Sequence, residues 1–555
     1  MSFASFTSLL GSFSAERRLY RVEGEALGPD ELLVEAWAER EAFNQPWSLE
    51  LVCVSENPLL DLDALLGQRL QLLTRLPDGN ELVRSTLVLS IEAEEADGGL
   101  ARYRLLLGSW LSLLGYGQHS QVWQEQPLTT ILDAVFGAYA PQAQWRYADC
   151  VAPHLAQSPW TTAAGLRPYV VQYQQSDLAF VQRLLREEGL VLRFERDSDT
   201  VVILADSPSE AACPDLGAVR FHRDNPTETS DTVQALGQAR FIPTWLLSSV
   251  ASQHAAASVV AAEVPVISQS TLGEAAPRLE HYAHLGEHSW GVGFEGQGRS
   301  QLDRALTLAQ EGWEVQHKRF IGRSTVRHLA VGQRFELLNS PLDVQSSQPR
   351  DKTLLLSAIA HVGLNNLPKA LSDELAARGW AHRRTDALPA WVGPELRQQV
   401  AQNGYANRFA CARVDIPWRP AWWALGVDAA PIEEPDDELI PLLEAIHRPA
   451  GTPLHPKAPC PGVLSATVVD ASGSAEPRDA RVVGDAMGRI RIRYDFQGLP
   501  QHASTSASSI WVRVLQSWAG AFGGAQFVPR LGQQVLVGFN HDDIEQPQVI
   551  GAVYD

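Results

Sequence analysis

The C-terminal segment Ile510–Asp555 places the strongest constraint on how this chain of 555 residues folds. In three runs, Val, Ile and Leu are mixed with polar residues, as in half-buried β-strands. The runs are Ile510–Leu515, Gln533–Phe539 and Pro547–Tyr554. Small residues separate the first two runs, and an acidic turn starting at Asp542 separates the last two. The pattern predicts three strands joined by turns at this end of the chain.

The N-terminal region, about Tyr20 to Leu114, is also rich in strand-like runs. Alternating apolar residues, bounded by turn-forming Pro, Asp and Gly, favour short strands. The spacing of these runs fits a small barrel. The predicted strands are Leu32–Glu39, Trp47–Val54, Gln68–Arg75, Glu81–Glu92 and Tyr103–Leu107.

Helical periodicity follows. Apolar residues within Pro127–Phe136 recur at the spacing of one helix face. In Tyr169–Leu190 a strand leads into a helix that is capped at Ser176 or Asp177 and ends at Gly189. Two short strands, Leu190–Phe194 and Thr200–Ala205, are expected to pair after it.

Residues 206–300 show less regular patterning. Beyond them we predict a helix at Gln301–Trp313, a strand pair within Arg323–Leu338 and a strand at Thr353–Val362. Together these elements suggest a second barrel with long insertions. Residues 380–459 are rich in Pro and Trp and carry an acidic run, which predicts an extended connector packed against other domains or subunits.

The net charge of −20, from 65 acidic and 45 basic residues, argues against nucleic acid as the main partner. The strand Arg489–Tyr494 does place three arginines on one face and Ile490, Ile492 and Tyr494 on the other. We interpret the arginine face as solvated or ion-paired. A nucleic-acid groove is the lesser alternative, because no aromatic stacking platform is evident beside it.

The five cysteines are widely scattered, odd in number and lack CxxC spacing, which predicts free thiols in a reducing compartment. The segment Met1–Glu16 has no positive charge and is not expected to be a Sec signal. No window approaches 18 consecutive apolar residues, so no transmembrane helix is predicted. The cysteines are Cys53, Cys150, Cys213, Cys411 and Cys460.

Signals for chemistry are weak. Gly291–Gly296 fits GxGxxG but follows no convincing strand, and it is interpreted as a loop. His281, His284 and His288 have a spacing that a metal would accept, although exposed loop histidines are the favoured interpretation. No Walker loop and no G-x-S-x-G elbow is present. The sequence therefore predicts no catalytic, cofactor or metal residues.

Two structural interpretations concern the C-terminal segment. The acidic turn Asp542–Glu545 does not match an EF-hand, and it is expected to be a solvated hairpin tip. Trp518 is expected to anchor the core or a subunit interface rather than to bind a ligand.

Two blocks, Tyr169–Leu190 and Asp485–Asp555, resemble the VgrG family, the central spike of type VI secretion and a relative of contractile phage tail spikes. Arg186 departs from the family pattern, which usually has Glu there, and the His281–His288 region lacks the usual Tyr-Pro-Gly turn. The positions that carry the resemblance, all taken as structural, are Asp177, Phe180, Gly189, Gly488, Arg489, Trp518, Gly520, Pro529, Arg530, Gly532, Asp542, Pro547 and Gly551.

The resemblance implies a mainly β fold with two related β-barrel hub domains, helical insertions and a following OB-fold barrel, assembled as a homotrimer. The expected domains are 1–168 for the first barrel with a helical segment and 169–379 for the second barrel. Residues 380–459 are expected to be the connector and 460–555 the OB barrel at the spike base.

The function implied is structural. A trimeric hub would cap the hexameric Hcp tube, contact type VI baseplate proteins and deliver effectors by mechanical penetration of a membrane. A C-terminal needle would carry effectors and a PAAR-type tip, and we expect this chain to be a fragment that lacks it. Such a protein would be cytoplasmic before firing, then secreted or injected without a signal peptide. A phage tail hub is the alternative, with an effector-bearing enzyme and a nucleic-acid-binding OB protein less favoured.

Overall fold

The structure of this chain is a computed structural model. The described residues are 18–96, 100–205, 213–222, 230–240, 245–253, 258–265, 277–287, 298–340, 342, 352–380, 384–420, 460, 462–476, 481–497, 509–520 and 523–553. The GxGxxG sequence, His288 and residues 421–459 of the expected connector lie outside the described residues.

Strands dominate the described residues. In chain order they are β1 (Tyr20–Glu23), β2 (Leu33–Ala42), β3 (Ser48–Ser55), β4 (Arg69–Arg75), β5 (Glu81–Ala96), β6 (Ala101–Gly108), β7 (Gln118–Gln126), β8 (Trp145–Tyr147), β9 (Arg167–Ser176), β10 (Val191–Glu195), β11 (Thr200–Leu204), β12 (Asp215–Arg220), β13 (Val233–Arg240), β14 (Leu246–Gln253), β15 (Ser258–Pro265), β16 (Glu280–Glu287), β17 (Lys318–Ser324), β18 (Arg334–Leu338), β19 (Thr353–Leu364), β20 (Tyr405–Arg413), β21 (Val463–Val469), β22 (Ile490–Tyr494), β23 (Ile510–Val514), β24 (Trp518–Gly520), β25 (Gly523–Ala525), β26 (Gln534–Phe539) and β27 (Pro547–Ala552).

Helices are fewer and lie mainly between strands of the sheets. They are α1 (Leu62–Leu65), α2 (Leu128–Gly137), α3 (Val151–Leu155), α4 (Asp177–Glu188), α5 (Gly298–His317), α6 (Lys369–Ala377) and α7 (Pro394–Asn403). None of the described helices is both long enough and apolar enough to cross a membrane.

A twelve-stranded sheet organises most of the chain. Its main path runs β1-β4-β5-β6-β3-β2-β19-β20-β17-β13, and β12 and β18 attach beside β19. The first six strands of this path lie between Tyr20 and Gly108, and the other four lie between Val233 and Arg413. The predicted mainly β fold is confirmed, and the strands expected to form two related hub barrels belong to one continuous sheet.

Strand β19 joins the two halves. Its residues Ala358–Leu364 pair antiparallel with β2, while its first residues pair with β18. Along its other edge it pairs with β20. At the far side of the second half, Phe221 at the end of β12 bridges to Val233 of β13. Because β19 pairs with β2 of the first half and with β18 and β20 of the second, it connects the two halves of the sheet.

Aromatic side chains fill the core between the N-terminal half-sheet and helices α2 and α4. Trp110 packs edge-on against Phe136 with ring centroids 5.4 Å apart, and Trp123 stacks on Phe180 at 5.0 Å. Because a fully buried aromatic contributes roughly 1.5–3 kcal/mol, this cluster is a main source of stability for the half-sheet.

Helix α4 forms as the local sequence predicts. The Ser176 side chain caps it by accepting from the Ala179 amide at 3.2 Å. Gly189 ends the helix with a left-handed φ of 67°, a conformation that costs glycine little. After it, β10 and β11 pair antiparallel, as expected.

The C-terminal strands close into a five-stranded barrel in the order β21-β22-β23-β27-β26. All three predicted C-terminal strands are confirmed, as β23, β26 and β27. In β22 the residues Ile490, Ile492 and Tyr494 point into the barrel core while Arg491 and Arg493 face outward. Arg491 lies over the Trp511 ring at 4.9 Å, so the arginine face is at least partly occupied within the barrel itself.

Several expectations need correction. Helix α7 and strand β20 lie within 380–459, so that part of the expected connector is ordered sheet and helix. Of the strand pair predicted within Arg323–Leu338, only β18 lies in that range, because β17 ends at Ser324. The two do not pair together: β17 pairs with β13 and β20, whereas β18 pairs with β12 and β19. Five strands, β12–β16, lie in the region that seemed irregular, and β16 carries His281 and His284 in a strand rather than a loop.

Candidate assembly site

The C-terminal barrel packs against the two-stranded ribbon formed by β7 and β9. Val122, Tyr169 and Val171 of the ribbon belong to the same buried apolar cluster as the barrel core. Tyr173 packs beside Phe496 with ring centroids 5.5 Å apart. Since β9 leads directly into α4, the barrel and the helix share one supporting strand.

A buried ion pair crosses this junction. Arg183 of α4 donates from Nη1 to Glu545 Oε1 at 2.9 Å and from Nη2 to the Val171 carbonyl at 2.7 Å. Arg183 also pairs with Glu187 one turn along the helix at 3.0 Å. The Glu545 and Arg183 side chains are 8% and 5% exposed. One guanidinium therefore joins helix, ribbon and barrel in a site that excludes most water.

The network continues at the C-terminal end of α4. Arg167 donates to Glu187 at 2.6 Å and to Glu188 at 2.7 Å. Glu188 also accepts from the Ser158 hydroxyl at 2.8 Å. Breaking one partner of such a buried pair typically costs about 3–5 kcal/mol because the other charge is left uncompensated. Loss of one of these side chains is therefore expected to destabilise the junction.

Burial and neighbouring charges together shift the pKa values of these side chains. Burial raises the pKa of Glu188, while the Arg167 guanidinium opposes that rise. For Arg167 and Arg183, burial alone lowers the pKa, but the adjacent carboxylates outweigh it and hold both pKa values above the ordinary range. The arginines therefore stay charged throughout the accessible pH range.

Asp177, at the start of α4, gathers three further groups. Its carboxylate accepts from the Tyr139 hydroxyl at 2.6 Å and from Gln172 Nε2 at 2.7 Å. His119 Nδ1 lies 2.8 Å from the same carboxylate. Gly117 lies so close that a Cβ would approach Tyr139 Oη to 2.1 Å. Asp177 thus ties the ribbon and the segment after α2 to the helix start.

A second buried polar cluster lies where β2 meets β19. Glu39, Glu41 and His361 bring possible ligand atoms within 4.8 Å of one another. However, Arg84 pairs with Glu39 at 2.6 Å, and Arg196 pairs with Glu41 at 3.2 Å and donates to His361 Nε2. Two guanidinium groups already neutralise the carboxylates, so this cluster is a structural ion network rather than a metal centre.

The predicted family positions divide between the junction and the barrel turns. Asp177, Phe180 and Gly189 lie on α4 or at its end, whereas the others lie in the C-terminal segment that forms the barrel and the two-stranded β24–β25 sheet. Gly488 and Gly532 have left-handed φ values of 72° and 81°, as tight turns require. Arg489 pairs with Asp485 at 2.6 Å. Gly520, Pro529, Arg530, Asp542, Pro547 and Gly551 lie in or beside the turns and last strands.

One interpretation of the C-terminal segment was wrong, and one of two alternatives offered for Trp518 is excluded. The acidic turn is not a solvated tip, because Asp543 and Glu545 are buried and Glu545 meets Arg183. Trp518 is not a core residue, since its side chain is 67% exposed. Its predicted role at a subunit interface stays a prediction.

Sequence reasoning missed Arg167, Arg183, Glu187, Glu188 and Glu545. The signal available was their position: Arg183, Glu187 and Glu188 are buried in α4 although charged. Charged residues on a helix face are ordinarily read as solvated, and the partner of Arg183 lies 362 positions away.

The architecture is a continuous twelve-stranded sheet and a five-stranded barrel that docks on a separate two-stranded ribbon, and its sequence matches place it among injector hub proteins. The chain belongs to the phage tail baseplate hub (GPD) family, whose model matches residues 40–367. Residues 478–554 match the type VI secretion system/phage-baseplate injector OB domain. The resemblance to VgrG proteins predicted from the two blocks is confirmed.

Curated proteins of similar sequence support the same family. The chain is homologous to the type VI secretion system spike protein VgrG1b of Pseudomonas aeruginosa, with 23% identity over 98% of this chain and 61% of the relative. With VgrG5 of the same organism, identity is 26% over 94% of this chain and 55% of the relative. The chain thus spans little more than half the length of these relatives.

The fold also matches a solved structure. The E. coli c3393 protein, described as a component of the type VI secretion system with structural similarity to T4 bacteriophage tail proteins gp27 and gp5, superposes with a TM-score of 0.55. The match has 15% identity and covers 96% of this chain and all of that one. At this identity the match concerns the fold alone.

Proposed function

We propose that this chain is the hub part of a VgrG-like spike in a contractile injection machine. Three copies would form a ring that caps a hexameric Hcp tube and delivers effectors in type VI secretion. The proposal rests on one observation: a match to the baseplate hub family is followed in the same chain by a match to the injector OB domain. The ion pair between Arg183 and Glu545 joins these two parts.

The proposed role is mechanical rather than enzymatic. The polar cluster at Asp177 is held by hydrogen bonds and the cluster at Glu39 by ion pairs within the chain, which suits a load-bearing body. The family positions in the barrel would shape its turns. Baseplate proteins, and effectors with a PAAR-type tip borne on a needle, are the further partners proposed.

Light scattering tests the trimer. A mass near three times 60.8 kDa supports the hub, whereas a monomer contradicts trimerisation of this chain. If Trp518 anchors a subunit interface, Trp518→Ser will shift the protein toward monomer. Tyr116→Ser is the matched control, because Tyr116 is 76% exposed but lies outside the barrel.

A second candidate, a phage or phage-like tail hub, is favoured by the family model itself. Co-sedimentation with purified Hcp rings separates the two. Retention of the chain on the rings supports type VI secretion, and a trimer that ignores Hcp supports the phage-like hub. A filter-binding assay at moderate salt is expected to retain no nucleic acid, given the charge of −20.

The proposed location follows from the mechanism. The protein would be cytoplasmic before firing and would leave the cell only through the contractile machine. Release into the medium should therefore disappear in cells that lack a contractile sheath. Release that continues without the sheath would contradict this route.

A further inference from the structure

A small cavity lies beside the buried cluster of Glu39, Glu41 and His361. Its volume is about 20 Å³, and its walls include residues of β2, β4, β5, β19 and β20. Arg84 of β5 contacts Glu39 of β2 at this point, although β6 and β3 separate the two strands along the sheet. Because a volume of about 10–15 Å³ is enough for a buried water, the cavity has the size of a site for one very small molecule.

Buried N–H groups at the cavity wall lack hydrogen-bond partners among the described residues. They are the indole Nε1 of Trp37, Nε and Nη1 of Arg84, and Nε of Arg196. Glu39 Oε1 meets Arg84 Nη2 at 2.6 Å as an ion pair but accepts no hydrogen bond. Buried polar groups are normally hydrogen-bonded to protein or to ordered water. The cavity therefore offers several donors and one acceptor to the molecule that binds there.

The charges around the cavity favour a neutral ligand. Three guanidinium groups line it, and each is paired with one carboxylate. The pairs are Arg84–Glu39, Arg196–Glu41 and Arg327–Asp231. Since three positive charges face three negative charges, a bound ion would leave a buried charge without a partner, whereas a water molecule would not.

A monovalent anion is the competing ligand. Burial raises the pKa of Glu39, and a proton on that carboxyl would leave the guanidinium groups in excess. A halide accepts hydrogen bonds but donates none, so it would leave the acceptor at Glu39 without a donor. The two ligands can therefore be told apart by experiment.

We propose that this cavity is a binding site for one ordered water molecule. The water accepts from Trp37 Nε1 and Arg84 Nη1 and donates to Glu39 Oε1, and about three hydrogen bonds are usual for a buried water. It links β2 to β5 and completes the polar network at the place where β2 meets β19. The site does not depend on the proposed function, because all of its groups lie within one chain.

A high-resolution crystal structure of the full chain, from crystals grown with bromide in place of chloride, tests the site. We expect one density peak within about 3.2 Å of both Trp37 Nε1 and Arg84 Nη1, with no anomalous signal at the bromine absorption edge. An anomalous peak would identify an anion and overturn the proposal. A cavity without density would overturn it as well.

Trp37→Phe provides a second measurement, with Trp110→Phe as the matched control. Within the described part of the chain Trp110 Nε1 is also buried without a hydrogen-bond partner, but Trp110 does not line the cavity. Only Trp37→Phe removes a hydrogen bond to the water, so it should raise the equilibrium constant for unfolding about fivefold more than the control does. Equal effects of the two substitutions in denaturant titrations would contradict the bond from Trp37 to the water.

Discussion

The side chain of Asn365 forms two hydrogen bonds with the backbone of Tyr20, as the backbone of a neighbouring strand would. Its Oδ1 accepts from the Tyr20 amide at 3.2 Å, and its Nδ2 donates to the Tyr20 carbonyl at 2.9 Å. The same Nδ2 donates to the Val34 carbonyl at 2.7 Å. One side chain from the end of β19 thus satisfies backbone groups of both β1 and β2.

Replacement of Asn365 by Ala should lower the free energy of unfolding by about 2–4 kcal/mol, because buried backbone groups on two strands lose their partners. Chemical denaturation monitored by fluorescence measures the loss. Asn366→Ala is the control, since its side chain accepts from the Leu19 amide at an exposed position. Equal losses in the two variants would contradict a special role for Asn365.

Gly363 should not tolerate a methyl group. It stands opposite Trp37 in the β19–β2 ladder, and a Cβ would lie 2.1 Å from Trp37 Nε1 and 2.8 Å from the Tyr20 ring. Gly363→Ala is therefore expected to destabilise the protein by about 1–3 kcal/mol, the usual cost of overpacking. Thermal unfolding of Gly137→Ala, where a Cβ meets nothing within 4 Å, should show no such loss.

Asp177→Asn should weaken the start of α4. The amide has one oxygen in place of two, so Tyr139 and Gln172 cannot both keep their acceptors. We expect a loss of about 1–3 kcal/mol in the free energy of unfolding. Asp197→Asn, at an exposed position before β11, serves as the control, and denaturant titrations of both variants make the comparison.

The buried ring of His154 is expected to make the free energy of unfolding depend on pH. Its Nε2 donates to the Glu188 carbonyl at 2.7 Å, and its Nδ1 accepts from Arg304 at 3.3 Å, so the ring is held neutral. Burial, helped by Arg419 and Arg304, lowers its pKa to about 4.

Because the folded pKa lies below the unfolded value of about 6.5, the unfolded chain binds the extra proton first. The contribution of His154 is complete above pH 6.5 and is lost as the pH falls toward 4, by up to about 3 kcal/mol. His154→Gln should flatten the stability profile in that window, as chemical denaturation at a series of pH values measures. Parallel slopes for His154→Gln and the parent would contradict the assignment.

Local patterns were the reliable part of the sequence. Helix α4 was predictable because its cap at Ser176 and its end at Gly189 lie within the segment itself. The barrel strands were predictable for the same reason, through the alternation seen in β22. Strand β20 was missed, because Pro and Trp dominate the surrounding segment and obscure its short alternating run.

The candidate site was predicted only in part. Asp177 was identified by the family resemblance, but the ion pair between Arg183 and Glu545 was not. These two residues lie 362 positions apart along the chain, and no local pattern specifies such a pair. An acidic turn such as Asp542–Glu545 is usually exposed to solvent. Here Asp543 and Glu545 are buried because the barrel docks on the β7–β9 ribbon and helix α4 at this turn.

The sharing of β19 has a consequence for biosynthesis. Strands β1–β6 leave the ribosome long before Thr353–Leu364, yet β2 has no partner on that edge until β19 arrives. At typical elongation rates the open edge persists for on the order of tens of seconds. An unpaired strand edge invites aggregation, so nascent chains stalled before residue 353 should bind holding chaperones, and those stalled well beyond Arg413, where β20 has also paired with β19, should not.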